Sequence, residues 1–363
     1  MNKLLALAFV ALLSAGCASN ATGVGYYWQS VTGHLKLMQA ARPVDDWLAD
    51  EAAPTKLKER LEKARRIRQF AVSALALPDN ASYHRYADLN RRAAVYNVVA
   101  APALSLKLET WCFPVAGCVG YRGYFLESDA QAFADSLNNE LEVAVYPVQA
   151  YSTLGWTNWA GGDPLLNTFI NYPEGELARI VFHELAHQVV YVQNDTAFNE
   201  SFATTVERLG GALWLAQSSA QTSADYATFD TRRRAFRALT HSTRERLQDI
   251  YTDPVLDDAT KAQQKALAMA DFRQRYAALK AGWNGYAGYD PFVAQANNAT
   301  FAAQAAYDEW VPAFEALFER EGRDFARFYD AVRALADRPK EERLAALRVL
   351  APSVVITADK DHP

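Results

Sequence analysis

Between 54 and 77, Leu57, Leu61, Ala64, Ile67, Ala71 and Leu75 recur at steps of three and four residues. That spacing predicts a helix with one apolar side. Its other side carries Lys56, Lys58, Arg60, Lys63, Arg65, Arg66 and Arg68, the pattern of a solvated face. The periodicity predicts two further helices, over 83–100 and 129–141, the first stopping before Pro102. Leu141-Glu142-Val143-Ala144-Val145-Tyr146 alternates and predicts a strand, while the Trp-, Gly- and Asn-rich stretch 155–164 predicts a loop. From about 223 onward the pattern is helical, with breaks at Asp253-Pro254, between Gly282 and Pro291, at Gly322 and at Pro339. The expected fold is therefore α+β and predominantly α-helical, with a small sheet. No linker-like stretch interrupts 34–350, which predicts one domain there and a short tail over 351–363.

Composition narrows the class. Half of the residues are hydrophobic, 22% are charged and the net charge is -5, which excludes a disordered chain and leaves no basic footprint for nucleic acid. The amino terminus points to export. Lys3 precedes an apolar run over 4–13, followed by Ser14-Ala15-Gly16-Cys17. The run is too short to span a membrane. Cysteine directly after Ala-Gly resembles a bacterial lipobox, with Ser14 where a large aliphatic residue is usual. The resemblance implies a signal peptide over 1–16, acylation of Cys17 and a Gly-, Ser- and Ala-rich tether over 17–33. It implies a protein anchored in the bacterial envelope and facing the periplasm, with Ala18 favouring the outer membrane. An exported chain meets an oxidising compartment, so the remaining pair, Cys112 and Cys118, is expected to form a disulfide across a Pro- and Gly-containing turn.

The chemistry concentrates between 183 and 200. Phe182-His183-Glu184-Leu185-Ala186-His187-Gln188 lies in an apolar helical pattern. Residues four apart share a helix face, so His183 and His187 can offer two imidazoles to one zinc ion, and Glu184 can act as general base. Asn194-Asp195-Thr196 reads as a polar turn, with the first helix ending near Gln193 and a second starting near Thr196. Glu200, one turn into that second helix, is the candidate third ligand. The other histidines, His34, His84, His241 and His362, lack a matching spacing. Asn199, Thr204 and Glu207 are candidates to hold the ligands, and Asp195 is either a helix cap or a histidine partner. Tyr191, Tyr151, Tyr121 and His241 are candidates to stabilise an oxyanion, and Arg122 to bind a substrate carboxylate or form an ion pair.

His-Glu-x-x-His on one helix and Asn199-Glu200-x-Phe202-Ala203 opening the next resemble the gluzincin metallopeptidases. The twelve residues between His187 and Glu200 are fewer than is usual there, and no G-x-M-E-N amine-binding motif is present. Over nearly its full length the chain is similar to a family of bacterial lipoproteins described as zinc aminopeptidases. The similarity is carried by 111–118 with Tyr121-Arg122-Gly123-Tyr124-Phe125, by Tyr151-Ser152-Thr153-Leu154-Gly155-Trp156, and by 182–203. The resemblance implies a zincin-like core, one zinc per chain on His183, His187 and Glu200, peptide substrates, and an edge strand between Val143 and Trp156 that pairs with them. The expected function is a zinc metallopeptidase, an aminopeptidase by that resemblance. The alternatives are a non-catalytic envelope lipoprotein that binds a peptide or partner, and an endopeptidase or cell-wall peptide amidase.

Overall fold

The computed structural model describes residues 21–113, 117–137, 139–156 and 158–351. The expected signal peptide over 1–16, Cys17 and the tail from 352 lie outside them. Helix α1 (Ala21–Ala40) leads to β1 (Arg42–Pro43), α2 (Val44–Ala49) and α3 (Thr55–Ser73). Strands β2 (Arg85–Ala87), β3 (Val95–Pro102), β4 (Trp111–Phe113), β5 (Gly117–Val119) and β6 (Arg122–Tyr124) follow. Then come α4 (Glu127–Asp135), β7 (Leu141–Val148) and β8 (Leu165–Leu166). The rest is helical: α5 (Glu174–His187), α6 (Thr196–Ala216), α7 (Ala220–Thr252), α8 (Asp258–Gly282), α9 (Asp290–Ala294), α10 (Asn298–Ala305), α11 (Val311–Arg320), α12 (Phe325–Ala336) and α13 (Lys340–Leu350). The molecule is mostly helical with small sheets; the expected C-terminal breaks are present, and two unexpected ones fall at 295–297 and 306–310.

Two expectations fail locally. The helix predicted over 83–100 is replaced by β2 and β3. Val95, Tyr96, Val98 and Val99 are β-branched or aromatic and suit a pleated strand. β3 is the centre of an antiparallel sheet, β6-β3-β7, and is covered on both faces, so its apolar run lacks clean alternation. Val98 faces α4 with Tyr124 and Ala130, while Val99 packs with Ala144 and with Ala299 of α10. The part of the expected tether from residue 21 to 33 is the first stretch of α1, docked on the sheet through Tyr26 against Tyr124.

The main core surrounds α5. Leu177, Ala178, Val181, Phe182, Leu185 and Ala186 are fully buried, against apolar side chains of α3, α6, α11 and α12. Gly210 lets α6 approach this closely. A Cβ there would lie 2.5 Å from Leu75 Cδ1 and 3.0 Å from Phe182 Cδ2. A second cluster, around Phe236, Leu247, Phe272 and Phe301, holds α7, α8 and α10 together. A rigid α5 matters because it carries the histidines.

Candidate metal centre

α5 ends at His187, well before the expected end near Gln193. The cause is a side chain from the next helix. Asn199 accepts from Val192 N at 2.8 Å and donates to Val192 O at 2.7 Å, holding the segment 188–195 out of the helix. Asp195 then starts α6 as its N-cap, accepting from Phe198 N. The turn back brings Glu200 over the two histidines. Asn199 is therefore the brace of this turn rather than a partner of a ligand.

The three expected ligands converge. His183 Nε2 and His187 Nε2 are 3.2 Å apart, and Glu200 Oε2 lies 3.3 Å and 3.6 Å from them. Donors about 2.0–2.1 Å from a tetrahedral zinc ion sit about 3.3–3.4 Å from each other, so the triangle matches one face of such a site. Glu200 Oε2 and His187 Nδ1 are buried without a regular hydrogen bond. His183 stands between two carboxylates, with Glu200 at Nε2 and Glu207 Oε2 3.1 Å from Nδ1. Burial alone would lower the His183 pKa, but those carboxylates outweigh it and hold the ring well above its usual range. Burial likewise opposes the charge on Glu200, yet both histidines pull its carboxyl down to about 2. Glu207, countered by burial, is held well below its usual range by Arg179, which donates to its other oxygen. Arg179 neutralises Glu207, which leaves the buried Glu200 carboxylate facing two imidazoles, a group that can bind a divalent metal.

The ligand atoms open into a cavity of about 650 Å³. Glu184 lines it beside the first histidine and makes no hydrogen bond among the described residues. The wall is aromatic, with Tyr121, Tyr151, Tyr191 and Tyr307 among its residues. Tyr307 is absent from the sequence-based candidates. It stacks on His183 with ring centroids 6.1 Å apart. The Glu200 charge, reinforced by burial, keeps its hydroxyl protonated far above the usual tyrosine range. Ser201, the residue after Glu200, positions it, because its Oγ donates to Ala306 O and accepts from Trp310 N. Only the weak signal of a Pro-terminated turn marks this segment in the sequence. Tyr121 is also held protonated, by burial and then by Glu200. Tyr151 differs, since its hydroxyl meets His34 Nδ1 at 3.0 Å.

Several candidates have other roles. Asp195 takes two hydrogen bonds from Arg343, at 3.0 Å and 2.7 Å, and so ties α13 to the turn instead of orienting a histidine. Thr204 is buried in α6 but bonds to none of the three ligands. His241 is exposed on α7 beside Glu245, away from the cavity. Arg122 lies between the rings of Tyr26 and Phe133, at 4.1 Å and 4.3 Å, so it does not line the cavity. The expected edge strand stops at Val148, and 149–156 leaves the sheet as a cavity-lining loop. That loop is held by Asp163, which accepts from Thr153 N and Oγ1 and from Gln188 Nε2 next to His187. Cys112 and Cys118 oppose each other in the β4–β5 hairpin and are disulfide-bonded. The hairpin reaches the metal turn, where Cys118 N donates to Asn194 Oδ1 at 2.6 Å. Gly117, at φ +74°, makes that approach, because a Cβ there would meet the same Oδ1 at 2.7 Å.

Among curated proteins and among solved structures, none matches the chain. One family model does, described as putative aminopeptidase, over residues 25–347. The match takes in the hairpin, the cavity loop, α5, α6 and the turn that carries Tyr307, and on that extent the chain belongs to the putative aminopeptidase family.

Proposed function

We propose that the protein is a zinc-dependent peptidase with a zincin-type site, anchored through Cys17 in the bacterial envelope and acting on peptides in the periplasm. The observation that carries this reading is the triangle of His183, His187 and Glu200 donor atoms with Glu184 beside it in an open cavity. A zinc ion supplies Lewis acidity, polarising a carbonyl oxygen and acidifying water. Glu184 takes a proton from the attacking water and returns it to the departing nitrogen as the C–N bond breaks. Tyr307, Tyr121 and Tyr191, all kept protonated, are donors available to the oxygen on which negative charge develops. Glu207 holds the His183 ring by its far nitrogen, a contact that fixes the tautomer and raises basicity.

The amino-terminal preference follows from the family description. One observation favours a second reading, an endopeptidase. Among the described residues lining the cavity, Glu184 and Glu200 are the only carboxylates, so a substrate amine meets no third one. Both readings are tested together. The chain without residues 1–17 is purified, its metal content is measured, and a peptide library with free and acetylated amino termini is cleaved by it and by Glu184→Gln. The expected result is one zinc per chain in both proteins and cleavage by the unmodified one alone. Cleavage of free termini only supports the aminopeptidase, and internal cuts in blocked peptides support the endopeptidase. No zinc after reconstitution, or equal cleavage by Glu184→Gln, overturns the proposal.

A further inference from the structure

Helix α1 shows an unusual outer face. Over its twenty residues it has no acidic side chain and, besides His34, one base, Lys36. Its inner side is engaged with the body. Gln29 donates to Gly123 O and accepts from Phe125 N, closing the open edge of β6. His34 meets Tyr151, and Leu37 and Met38 are buried. The outer side carries Tyr27, Trp28, Val31 and Leu35, exposed by 46%, 71%, 54% and 51%. Their spacing places them along one stripe of the helix. Single exposed apolar residues are ordinary, but a contiguous stripe with no charge to solvate it marks a contact surface. No described helix is long and apolar enough to cross a membrane, so this one can lie on a bilayer but not span it.

The position of α1 in the chain selects the occupant. Ala21 follows Cys17 by four residues, and four peptide units reach at most about 14 Å. Acyl chains on Cys17 would therefore hold the start of α1 within that distance of the lipid headgroups. Tryptophan and tyrosine favour that interfacial layer, and the lack of acidic residues removes repulsion from anionic lipids. We propose that the Tyr27, Trp28, Val31 and Leu35 face of α1 lies in the surface of the bilayer that holds the anchor. The inference rests on the anchored reading above and extends it. Tyr26, Tyr27 and Ser30 also line the cavity, so the same contact sets the cavity rim against the membrane.

The test uses the full chain made in a bacterial host and reconstituted into vesicles of phosphatidylethanolamine and phosphatidylglycerol with brominated acyl chains, which quench nearby tryptophan. The vesicle-bound protein is expected to be quenched, and Trp28→Phe to lose most of the quenched component. The double variant Val31→Ser, Leu35→Ser, altered only at exposed positions, is expected to stay folded and vesicle-bound but to lose the quenching. A vesicle-bound chain whose quenching neither variant changes overturns the proposal and leaves the anchor standing. So does a protein partner cross-linked through position 28 in intact cells. A chain that does not float with vesicles, with Cys17→Ala behaving alike, removes the anchor and the proposal together. Zinc content and peptide cleavage are measured separately, so none of these outcomes bears on the peptidase chemistry.

Discussion

Glu207 Oε2 lies 3.1 Å from Nδ1 of His183, and its other oxygen accepts from Arg179, so one carboxylate links a buried guanidinium to an imidazole of the candidate metal centre. Such a partner keeps the ring in the tautomer that presents Nε2 and raises its basicity. Glu207→Gln is expected to lower zinc affinity about 10- to 100-fold while the chain stays folded. Competition with a chromogenic chelator measures it, and unchanged affinity would assign Glu207 to the Arg179 ion pair alone.

Tyr307 should act on the rate rather than on binding. Tyr307→Phe keeps the ring that stacks on His183 and removes only the hydroxyl. Loss of a donor to a developing oxyanion costs about 100- to 1,000-fold in kcat. The expected variant binds a full complement of zinc, with kcat reduced on that scale and KM little changed. If kcat survives, and Tyr121→Phe loses it instead, the donor is Tyr121.

Asp195 and Arg343 form a buried ion pair that joins α13 to the turn between α5 and α6. Removing one partner leaves a buried charge uncompensated. Asp195→Ala is expected to destabilise the fold by about 3–5 kcal/mol, with the lost helix cap contributing. Zinc affinity of the folded fraction should not change, because Asp195 touches no ligand. Urea unfolding and a zinc titration on the same preparation separate the two effects.

Asp163 makes stability depend on pH. Burial raises its carboxyl to about 6, against 3.8 for an ordinary aspartate, and its hydrogen bonds to Thr153 offset only part of that. The unfolded chain loses the proton near pH 4, whereas the folded chain keeps it until about 6. The folded state therefore binds more protons in this window, and stability falls as the pH rises through it, by about 3 kcal/mol from this group. Asp163→Asn removes the titration. Unfolding curves at pH 4.5 and pH 7.5 should differ less for the variant than for the unmodified chain, and equal differences would count against the assignment.

Local rules explain how much of the site was legible in advance. His183 and His187 face the same way because helical geometry alone aligns residues four apart. The start of α6 at Thr196 was legible because Asp195 caps within three residues of chain. The hairpin disulfide followed from two nearby cysteines and an expected export route. The features that the local pattern does not encode are non-local. The end of α5 depends on Asn199 reaching back to Val192, which an apolar pattern does not encode. The stretch 95–102 is strand because β6 and β7 pair with its two edges while α4 and α10 cover its two faces, and burial on both faces erases the period that tells strand from helix.

By itself, then, the sequence determined what short-range geometry controls: the helical character, the two histidines and Glu184 on one helix, the helix that follows and the paired cysteines. Tertiary structure alone decided which distant groups surround them. Tyr307 reaches His183 through a turn pinned by Ser201, Arg179 reaches His183 through Glu207, and Asp163 fixes the cavity loop beside His187. The physical reason is that a buried charge or hydroxyl is placed by whichever partner packing brings within hydrogen-bond distance, and that distance is unrelated to separation along the chain.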